Sequence, residues 1–336
     1  MTRKLSRWLA MALCLSATFS LAQAADAGKG ERNFAWAGSE NVKGDVLRVA
    51  FSARGEIIAA VSDRGVLVSR DGGKSWQDER TPVDAKAVYW LAVDGAGAQY
   101  AVLFPGGVLR KAPGDSQWKH SITGLPGNSV ASVVATASGN AYIALPDEAQ
   151  PSGGGVYQSI VDGSWKRIGD AMNTYALAYD SASTVLYAMN CGDTVMLPVP
   201  NRARCGGHVS QRRADEKKWT RISQEKSIGL VMGIATDGKG NVYAGSDRGV
   251  FRRLGGAGEW TALTKGLPGL KVEGLAADRE GNVYAGVWGH GMYWLPAGSD
   301  TWRDMKLPQR EIFSVDLDGR GRIAVGTPGT VWIGKL

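Results

Sequence analysis

Short apolar segments alternate with glycine-containing turns along almost the whole chain. The recurring unit begins with an apolar segment that often ends in Asp. It continues through a Gly turn to a second apolar segment containing Ala, then to a Gly with two apolar residues, and finally to a Trp. Two consecutive copies, residues 233–260 and 274–302, repeat this order almost residue for residue. Apolar runs of this length between turn residues predict four short β-strands in every unit.

The spacing of the closing tryptophans shows how often the unit recurs. They lie 40, 42, 47, 54, 41 and 42 residues apart and are Trp36, Trp76, Trp118, Trp165, Trp219, Trp260 and Trp302. A period in the low forties with four strands per repeat is typical of one β-propeller blade. We therefore predict an all-β fold in which residues 32–336 form a single seven-bladed β-propeller with four-stranded antiparallel blades.

The two ends of the repeat differ in strand number. Residues 33–36 supply a strand with its Trp before the first complete unit, whereas the last unit stops at residues 329–334 without an outer strand. Pairing these two segments would give every blade four strands and leave no open sheet edge. We predict that the N-terminal strand completes the last blade and so closes the ring.

Two residue types recur within the blades. The first strand of several units ends in Asp, and a turn glycine follows; these glycines are Gly95, Gly238, Gly281 and Gly319. We expect the Asp to bond the turn backbone and the glycines to adopt a positive φ. The second strand carries Tyr in five units, which is typical of a strand buried on both faces between neighbouring blades.

The first residues predict export from the cytoplasm. Three cations precede an apolar run over residues 9–22, and the run ends in a small-residue pattern at Ala24. We predict that residues 1–24 are a signal peptide cleaved near Ala24 and that residues 25–31 are disordered. The mature protein is then periplasmic or secreted, and the apolar run is too short for a permanent membrane span.

Charge and composition narrow the class of partner. The formal charge of the whole chain is +7, and removing the three signal-peptide cations lowers it to about +4. A charge this small does not indicate nucleic-acid binding. The three histidines are scattered, and the sequence contains neither a glycine-rich phosphate loop nor an acidic calcium loop. We predict no cofactor and no metal, and we expect a monomer.

Two connections between second and third strands are longer than the others. The third blade inserts residues 145–154, and the fourth blade inserts a loop between Cys191 and Cys205. In an oxidising compartment we expect these cysteines to form a disulfide, worth about 3 kcal/mol in the chain-entropy model. Two buried thiols are the alternative. Because equivalent connections share one face of a propeller, both long loops are predicted to lie on that face.

One turn carries a specific motif. Ser69, Asp71, Gly73, Ser75 and Trp76 follow the pattern Ser-x-Asp-x-Gly-x-Ser-Trp, which resembles the Asp-box (BNR) repeat of bacterial neuraminidases and related propellers. The resemblance implies a structural turn between the third and fourth strands, remote from catalysis. Sialidases also have an Arg-Ile-Pro segment and an arginine triad. The Arg-Ile-Pro segment is missing here, so the chain is more similar to non-catalytic propellers of the photosystem II assembly-factor type.

Polar and aromatic residues collect where the central channel should open, near the starts of first strands and in the turns between second and third strands. The candidate ligand-binding residues are Arg48, Arg64, Tyr89, Trp90, Tyr175, Arg248, Glu273, Trp288, His290 and Arg310. Arginine can hold a carboxylate by paired hydrogen bonds, and tryptophan can stack on a sugar ring. In the alternative, the Asp-Arg-Gly segments are ordinary turns and the aromatic residues fill gaps between blades.

Together these features predict a rigid binding scaffold with no catalytic residue. We expect it to recognise a protein or glycan partner in the cell envelope through the face that carries the two long loops. Rigid blades hold those loops in place, so little ordering entropy opposes binding. The alternative function is a sialidase-like glycoside hydrolase or lyase acting on an acidic sugar, and a lectin-like adhesin is a third candidate.

Overall fold

The computed structural model describes residues 34–82, 88–103, 106–146, 154–161, 163–169, 173–191, 207–213, 216, 218–256 and 258–336. Ala35–Leu336 forms one compact unit. The predicted signal peptide and the predicted disordered segment lie outside the described residues. So do residues 147–153 and 192–206, which make up most of the two long loops.

The described residues contain seven four-stranded antiparallel sheets, one for each blade. Blade 1 contains β2 (Val46–Phe51), β3 (Ile57–Val61), β4 (Gly65–Ser69) and β5 (Gln77–Asp78), and blade 2 contains β6 (Val88–Val93), β7 (Gln99–Leu103), β8 (Gly107–Lys111) and β9 (Lys119–His120). Blade 3 contains β10 (Ser132–Ala135), β11 (Ala141–Leu145), β12 (Gly155–Ser159) and β13 (Trp165–Gly169). Blade 4 contains β14 (Thr174–Asp180), β15 (Val185–Cys191), β16 (Gly207–Arg213) and β17 (Thr220–Arg221). Blade 5 contains β18 (Val231–Thr236), β19 (Val242–Ser246), β20 (Gly249–Arg253) and β21 (Thr261–Leu263), and blade 6 contains β22 (Val272–Ala277), β23 (Val283–Val287), β24 (Gly291–Leu295) and β25 (Arg303–Asp304). Blade 7 contains β26 (Ser314–Leu317), β27 (Arg322–Thr327), β28 (Thr330–Lys335) and the first strand of the chain, β1 (Trp36–Ser39). Short helices cover Glu40–Val42, Glu225–Ile228 and Leu254–Gly256. The predicted seven-bladed, all-β architecture is confirmed.

The ring closes through the N-terminal strand, as predicted. β1 pairs antiparallel with β28, and this places Trp36 opposite Gly334 and Ser39 opposite Val331. The paired strand starts at Trp36, so it lies three residues later than the sequence pattern placed it. The first strands of blades 1 and 7, β2 and β26, also contact each other at the centre of the ring. Blade 7 therefore contains both ends of the described chain and packs directly on blade 1.

The strand order gives the ring two different ends. The turns from first to second strand and from third to fourth strand lie at one end, which we call the turn end. The turns from second to third strand and the crossings between blades lie at the other, which we call the crossover end. Because the first strand of each blade begins at the crossover end, the starts of β2, β6 and β22 lie there.

Aspartates close the first turns of several blades at the turn end. The carboxylate of Asp278 accepts the backbone N–H of Asn282 at 2.8 Å, and that of Asp94 accepts the backbone N–H of Ala98 at 2.8 Å. Each turn thereby satisfies a backbone donor with the side chain of the residue that follows the first strand. The expected role of these aspartates is confirmed.

The turn glycines serve two different purposes. Gly238, Gly281 and Gly319 have φ values of 67°, 94° and 65°, as expected for turn glycines. Gly95 lies outside the left-handed region, so the expectation of a positive φ was wrong there. A Cβ at Gly95 would lie 2.0 Å from the carbonyl oxygen of Ala137 in the next blade. Gly95 is therefore needed because two backbones approach each other.

The motif at residues 69–76 closes its turn with its own polar groups. The carboxylate of Asp71 accepts the backbone N–H of Ser75 at 2.9 Å, and the hydroxyl oxygen of Ser69 accepts the backbone N–H of Gly73 at 2.8 Å. Both serine hydroxyls donate to the carboxylate. Hydrogen bonds from Ser75 hold the pKa of Asp71 well below its ordinary value. These bonds explain the local turn without any ligand.

The periodic tryptophans link neighbouring blades. In four of the seven, the indole N–H donates to a backbone carbonyl at the end of, or just after, the outer strand of the preceding blade: Trp165 to Ser121 at 2.7 Å, Trp260 to Ile222 at 2.7 Å, Trp302 to Leu263 at 2.8 Å and Trp36 to Met305 at 2.8 Å. Trp165 and Trp302 are each only 3% exposed. The period seen in the sequence is thus a repeated contact between blades.

Asp316 joins blades 7 and 1 near the centre of the ring. Its carboxylate accepts the backbone N–H of Phe51 at 2.8 Å, and burial raises the pKa of this carboxyl to about 6. The folded state therefore binds this proton more tightly than the unfolded chain does. As a result, the contribution of Asp316 to the free energy of unfolding rises as the pH falls from about 7 to about 4.

We expect Asp316→Asn to raise the free energy of unfolding by about 1–2 kcal/mol near pH 7.5, because the amide still accepts from Phe51 but carries no charge. Asp316 is partly exposed to solvent, so the expected gain in the free energy of unfolding is smaller than for a fully buried carboxylate. Near pH 4, where the carboxyl is neutral, the difference should vanish. Urea unfolding at the two pH values measures both quantities.

Asp318→Asn is the matched control. Burial by itself would raise the pKa of Asp318, but hydrogen bonds from Arg322 hold this pKa below its ordinary value. The variant should therefore lose stability near neutral pH. An Asp316→Asn protein that is less stable than the wild type at both pH values would contradict the prediction.

Candidate functional site

The first strands of the blades enclose a central cavity of about 170 Å³. Much of its wall is apolar, with contributions from Leu91, Leu177 and Val315. Glycine is needed on this wall, because a Cβ at Gly233 would lie 2.8 Å from the carbonyl oxygen of Glu273. The first strands of blades 5 and 6 can approach this closely only without a side chain at that point.

Three of the ten candidate residues meet at this cavity. Arg48 comes from β2, Trp90 from β6 and Glu273 from β22, and each lies near the start of its strand. The guanidinium carbon of Arg48 lies 3.5 Å from the centre of the Trp90 ring, a cation–π contact that holds the guanidinium against the indole. The crossover end of the cavity thus combines a cation, a carboxylate and an indole.

A repeated β-bulge controls the side-chain directions at this end. The pairing of first and second strands shifts by one residue at Leu47, Tyr89, Tyr175, Met232 and Glu273. A bulge sets two residues opposite one and redirects the side chains beside it. The sequence did not reveal this feature, because an extra residue in a strand buried on both faces leaves no change in an apolar pattern.

Lys271, which the sequence analysis did not select, connects the cavity to the surface. Its Nζ lies 2.8 Å from a carboxylate oxygen of Glu273 and 3.7 Å from the centre of the Trp288 ring. The Glu273 side chain is only 12% exposed, so the ion pair compensates a carboxylate that is largely removed from water. A lysine just before a strand has no distinctive pattern, and only the fold places it beside Trp288.

Apolar surface lies next to Lys271. Trp288 is 42% exposed and Leu270 is 50% exposed. His290 lies close by, because a Cβ at Gly269 would be 3.1 Å from its ring. We define the crossover patch as Arg48, Trp90, Lys271, Glu273 and Trp288, with Leu270 and His290 at its rim.

Three other candidate residues make structural contacts. Tyr89 donates its phenol to the backbone carbonyl of Val130, and burial raises its pKa well above the ordinary value. Tyr175 packs in the apolar core shared by blades 4 and 5. Arg64 donates to both carboxylate oxygens of Asp78 at 2.8 Å. These contacts agree with the alternative in which such residues hold blades and turns together.

The two remaining arginines lie away from the cavity lining. Arg248 donates to the backbone carbonyl of Lys226 at 2.9 Å. Arg310 is exposed, and its backbone N–H donates to the side chain of Gln309. The structure therefore brings Arg48, Trp90 and Glu273 together, with Trp288 and His290 beside them, and places the other five candidates outside the lining of the cavity.

No protein-family model matches the sequence, and no curated protein matches it. Solved structures do match. YCF48 bound to D1 peptide has a TM-score of 0.69 at 16% identity, covering 91% of this chain and 98% of that one. Virginiamycin B lyase from Staphylococcus aureus has a TM-score of 0.70 at 12% identity (90% and 99% covered), and the WD40 β-propeller domain of Doa1 has 0.63 at 14% identity (90% and 97%). The chain shares their fold. At such low identity the likeness shows the fold alone.

The loop predicted to contain a disulfide leaves the blade at the crossover end. It runs from the end of β15 to the start of β16, whereas Cys205 and the side chain of Cys191 lie outside what the structure describes. Within the described ranges, no group of three or more His, Cys, Asp or Glu side chains is placed to hold a metal ion. Nor is any described helix long and apolar enough to span a membrane.

Proposed function

We propose that this protein is a binding scaffold that recognises a protein partner through the crossover patch without chemically changing it. The observation that carries the proposal is the meeting of Arg48, Trp90 and Glu273 at one cavity. Lys271 and Trp288 extend the same cluster to the surface. Aromatic residues and paired charges held on rigid strands are typical of the few residues that dominate binding energy at interfaces.

The crossover patch offers two kinds of contact to a polypeptide. Arg48 can donate paired hydrogen bonds to a carboxylate, and its contact with Trp90 limits its side-chain freedom, so less entropy is lost on binding. Trp288 and Leu270 offer exposed apolar area. The cavity of about 170 Å³ is smaller than the pockets of ~300–1,000 Å³ that enclose small ligands. This size favours one inserted side chain of a larger partner.

One similar structure supports a polypeptide ligand. YCF48 was determined with D1 peptide bound, and the match covers 98% of that chain. Because the identity is 16%, we carry over only the class of ligand and no residue. A glycan partner is the second proposal, since an exposed indole such as Trp288 can also stack on a sugar ring.

We further propose that the protein acts in the cell envelope, in the periplasm or after secretion, and that it acts as a monomer. The cations and apolar run within residues 1–24 support export. In an oxidising compartment, a disulfide between Cys191 and Cys205 would restrain a long loop at the same end as the crossover patch. A restrained loop adds contacts to a partner at a lower entropy cost.

A sialidase-like hydrolase or lyase is the competing proposal. Sialidases hold the carboxylate of their substrate with an arginine triad. Of the described residues that line the central cavity, one is an arginine, Arg48, and this supports binding over glycoside hydrolysis. We expect the purified protein to release no fluorophore from a fluorogenic sialoside, and turnover that disappears in Arg48→Met would favour the enzyme.

We expect Trp288→Ala to weaken the binding of selected peptides by at least about tenfold, because hot-spot indoles contribute about 2 kcal/mol or more. Peptides are selected from a displayed random library on the immobilised mature protein, and their Kd values are measured by fluorescence anisotropy. Leu254→Ala is the matched control, because Leu254 is 54% exposed but lies at the turn end. Peptides that bind Trp288→Ala and Arg48→Met as tightly as the wild type would refute the proposed site.

A further inference from the structure

A second cavity, of about 470 Å³, lies on the outer side of the ring between blades 2 and 3. Its blade 2 wall includes Arg110 from β8 and Lys119 and His120 from β9, and its blade 3 wall includes Gly163 and Ser164. This cavity, which we call the outer groove, is separate from the central cavity. Among the residues that the structure describes, the two have no lining residue in common.

Hydrogen bonds orient Arg110, one of the residues that line the outer groove. Arg110 lies directly opposite Tyr100 in the pairing of β7 with β8, and its Nε–H donates to the phenol oxygen of Tyr100 at 3.4 Å. The phenol in turn donates to the carboxylate of Asp94 at 3.3 Å. Because this chain of bonds restrains the half-buried guanidinium, its remaining donors are offered to the groove in a limited set of directions.

The two walls of the outer groove are fixed to each other. The indole N–H of Trp165 donates to the backbone carbonyl of Ser121 at 2.7 Å, and the hydroxyl of Ser121 donates to the backbone carbonyl of Gly163 at 3.1 Å. These bonds cross from blade 3 to blade 2 and back. A ligand would therefore meet a groove that is already formed, with little reorganisation to oppose its binding.

The charged side chains of the outer groove favour an anionic ligand. Arg110 and Lys119 contribute two positive charges, and Asp115, whose carboxylate lies 3.0 Å from Lys119 Nζ, contributes one negative charge. The described groove residues therefore leave one net positive charge with His120 neutral. Guanidinium and ammonium groups donate hydrogen bonds and accept none, so they match the oxygens of an anion. A volume of about 470 Å³ also lies within the ordinary range for small-ligand sites.

Blade 5 provides an internal comparison. It has the same Arg–Tyr pair, with Arg252 opposite Tyr243. At the two positions where blade 2 has Lys119 and His120, however, blade 5 has the neutral residues Thr261 and Ala262. Blades 2 and 5 thus share the Arg–Tyr pair, but of these two only blade 2 has a lysine and a histidine beside it.

We propose that the outer groove binds the oxyanion group of a small soluble ligand, such as a carboxylate, phosphate or sulfate. Arg110 supplies the oriented paired donors, and Lys119 supplies a second cation at the rim, beside His120. The site is independent of the crossover patch and of the protein partner proposed for it.

The proposal is tested by titrating the isotopically labelled mature protein with phosphate, sulfate and glucuronate at constant ionic strength, with chloride as the reference anion. We expect saturable shifts of the backbone amide signals of residues 119–121 with at least one of the three probes. The tightest binder identifies the chemistry of the anion. Binding of none of the three, or equal shifts with chloride, would overturn the proposal.

Arg110→Gln should weaken that binding at least about tenfold, equivalent to about 1.4 kcal/mol, whereas Arg252→Gln should change it less than about twofold. Should Arg110→Gln fail to fold, Lys119→Gln tests the same site, because Lys119 is 71% exposed; about threefold weaker binding is expected. Equal weakening by Arg110→Gln and Arg252→Gln would show a general charge effect and would also overturn the proposal.

Discussion

Trp302→Ala is expected to lower the free energy of unfolding by about 3–5 kcal/mol, the usual cost of removing a buried tryptophan. Trp302 is 3% exposed, and it packs in the apolar core shared by blades 5 and 6. Its indole N–H also donates to the carbonyl of Leu263 at 2.8 Å, so the substitution leaves that acceptor without its partner. Urea unfolding followed by fluorescence measures the loss.

Two further variants separate the contribution of the hydrogen bond from that of burial. Trp302→Phe keeps much of the packing and removes the hydrogen bond, so its loss should be about 1–2 kcal/mol. Trp288→Ala removes an indole that is 42% exposed and should cost less than about 1 kcal/mol in stability. Equal losses for Trp302→Ala and Trp288→Ala would mean that the periodic tryptophans do not hold blades together.

Gly95→Ala is expected to lower the free energy of unfolding by about 2–4 kcal/mol, from overpacking together with a weakened hydrogen bond. The added Cβ would lie 2.0 Å from the carbonyl oxygen and 2.6 Å from the carbonyl carbon of Ala137. Backbone atoms cannot rotate away as a side chain can. The turns of blades 2 and 3 must therefore separate, and this strains the hydrogen bond from Gly95 N–H to the carbonyl of Thr136 at 2.9 Å.

Gly319→Ala is the control for this prediction. Gly319 occupies the equivalent turn of blade 7 with a φ of 65°, and no described atom beyond its own residue and its two chain neighbours lies within 4 Å of its Cβ position. Its substitution should cost about 1 kcal/mol from backbone strain alone. The two variants are compared by urea unfolding, and a loss for Gly95→Ala no larger than that for Gly319→Ala would show that the close approach of the blades does not matter.

The blade pattern could be predicted because the contacts behind it are local or repeated. Asp278 bonds the backbone of its own turn, and that requires only a short stretch of sequence. Each periodic tryptophan contacts the preceding blade, so the same contact recurs at nearly the same spacing. Ring closure followed from counting strands, because an unpaired β1 and an incomplete last sheet complete each other.

The site was less predictable because its contacts join distant parts of the chain. Arg48 and Trp90 come from different blades, and either could have filled a gap, as Tyr89 does with its bond to Val130. Arg64 is in an Asp-Arg-Gly turn like Arg248, yet it pairs with Asp78. Residue type and turn position could not distinguish these outcomes, since the partner that decides each one lies elsewhere in sequence.

By itself, the sequence determined the number of blades, the order of strands within them and the strand that closes the ring. These features follow from periodic burial and from turn chemistry that acts over a few residues. Only the tertiary structure decided that Lys271 lies between Glu273 and Trp288, that Gly95 is needed for the contact of two backbones, and that blade 2 forms a cationic groove against blade 3. Such features depend on bulges and on packing between blades. These set side-chain directions that cannot be inferred from the alternation of polar and apolar residues along a single strand.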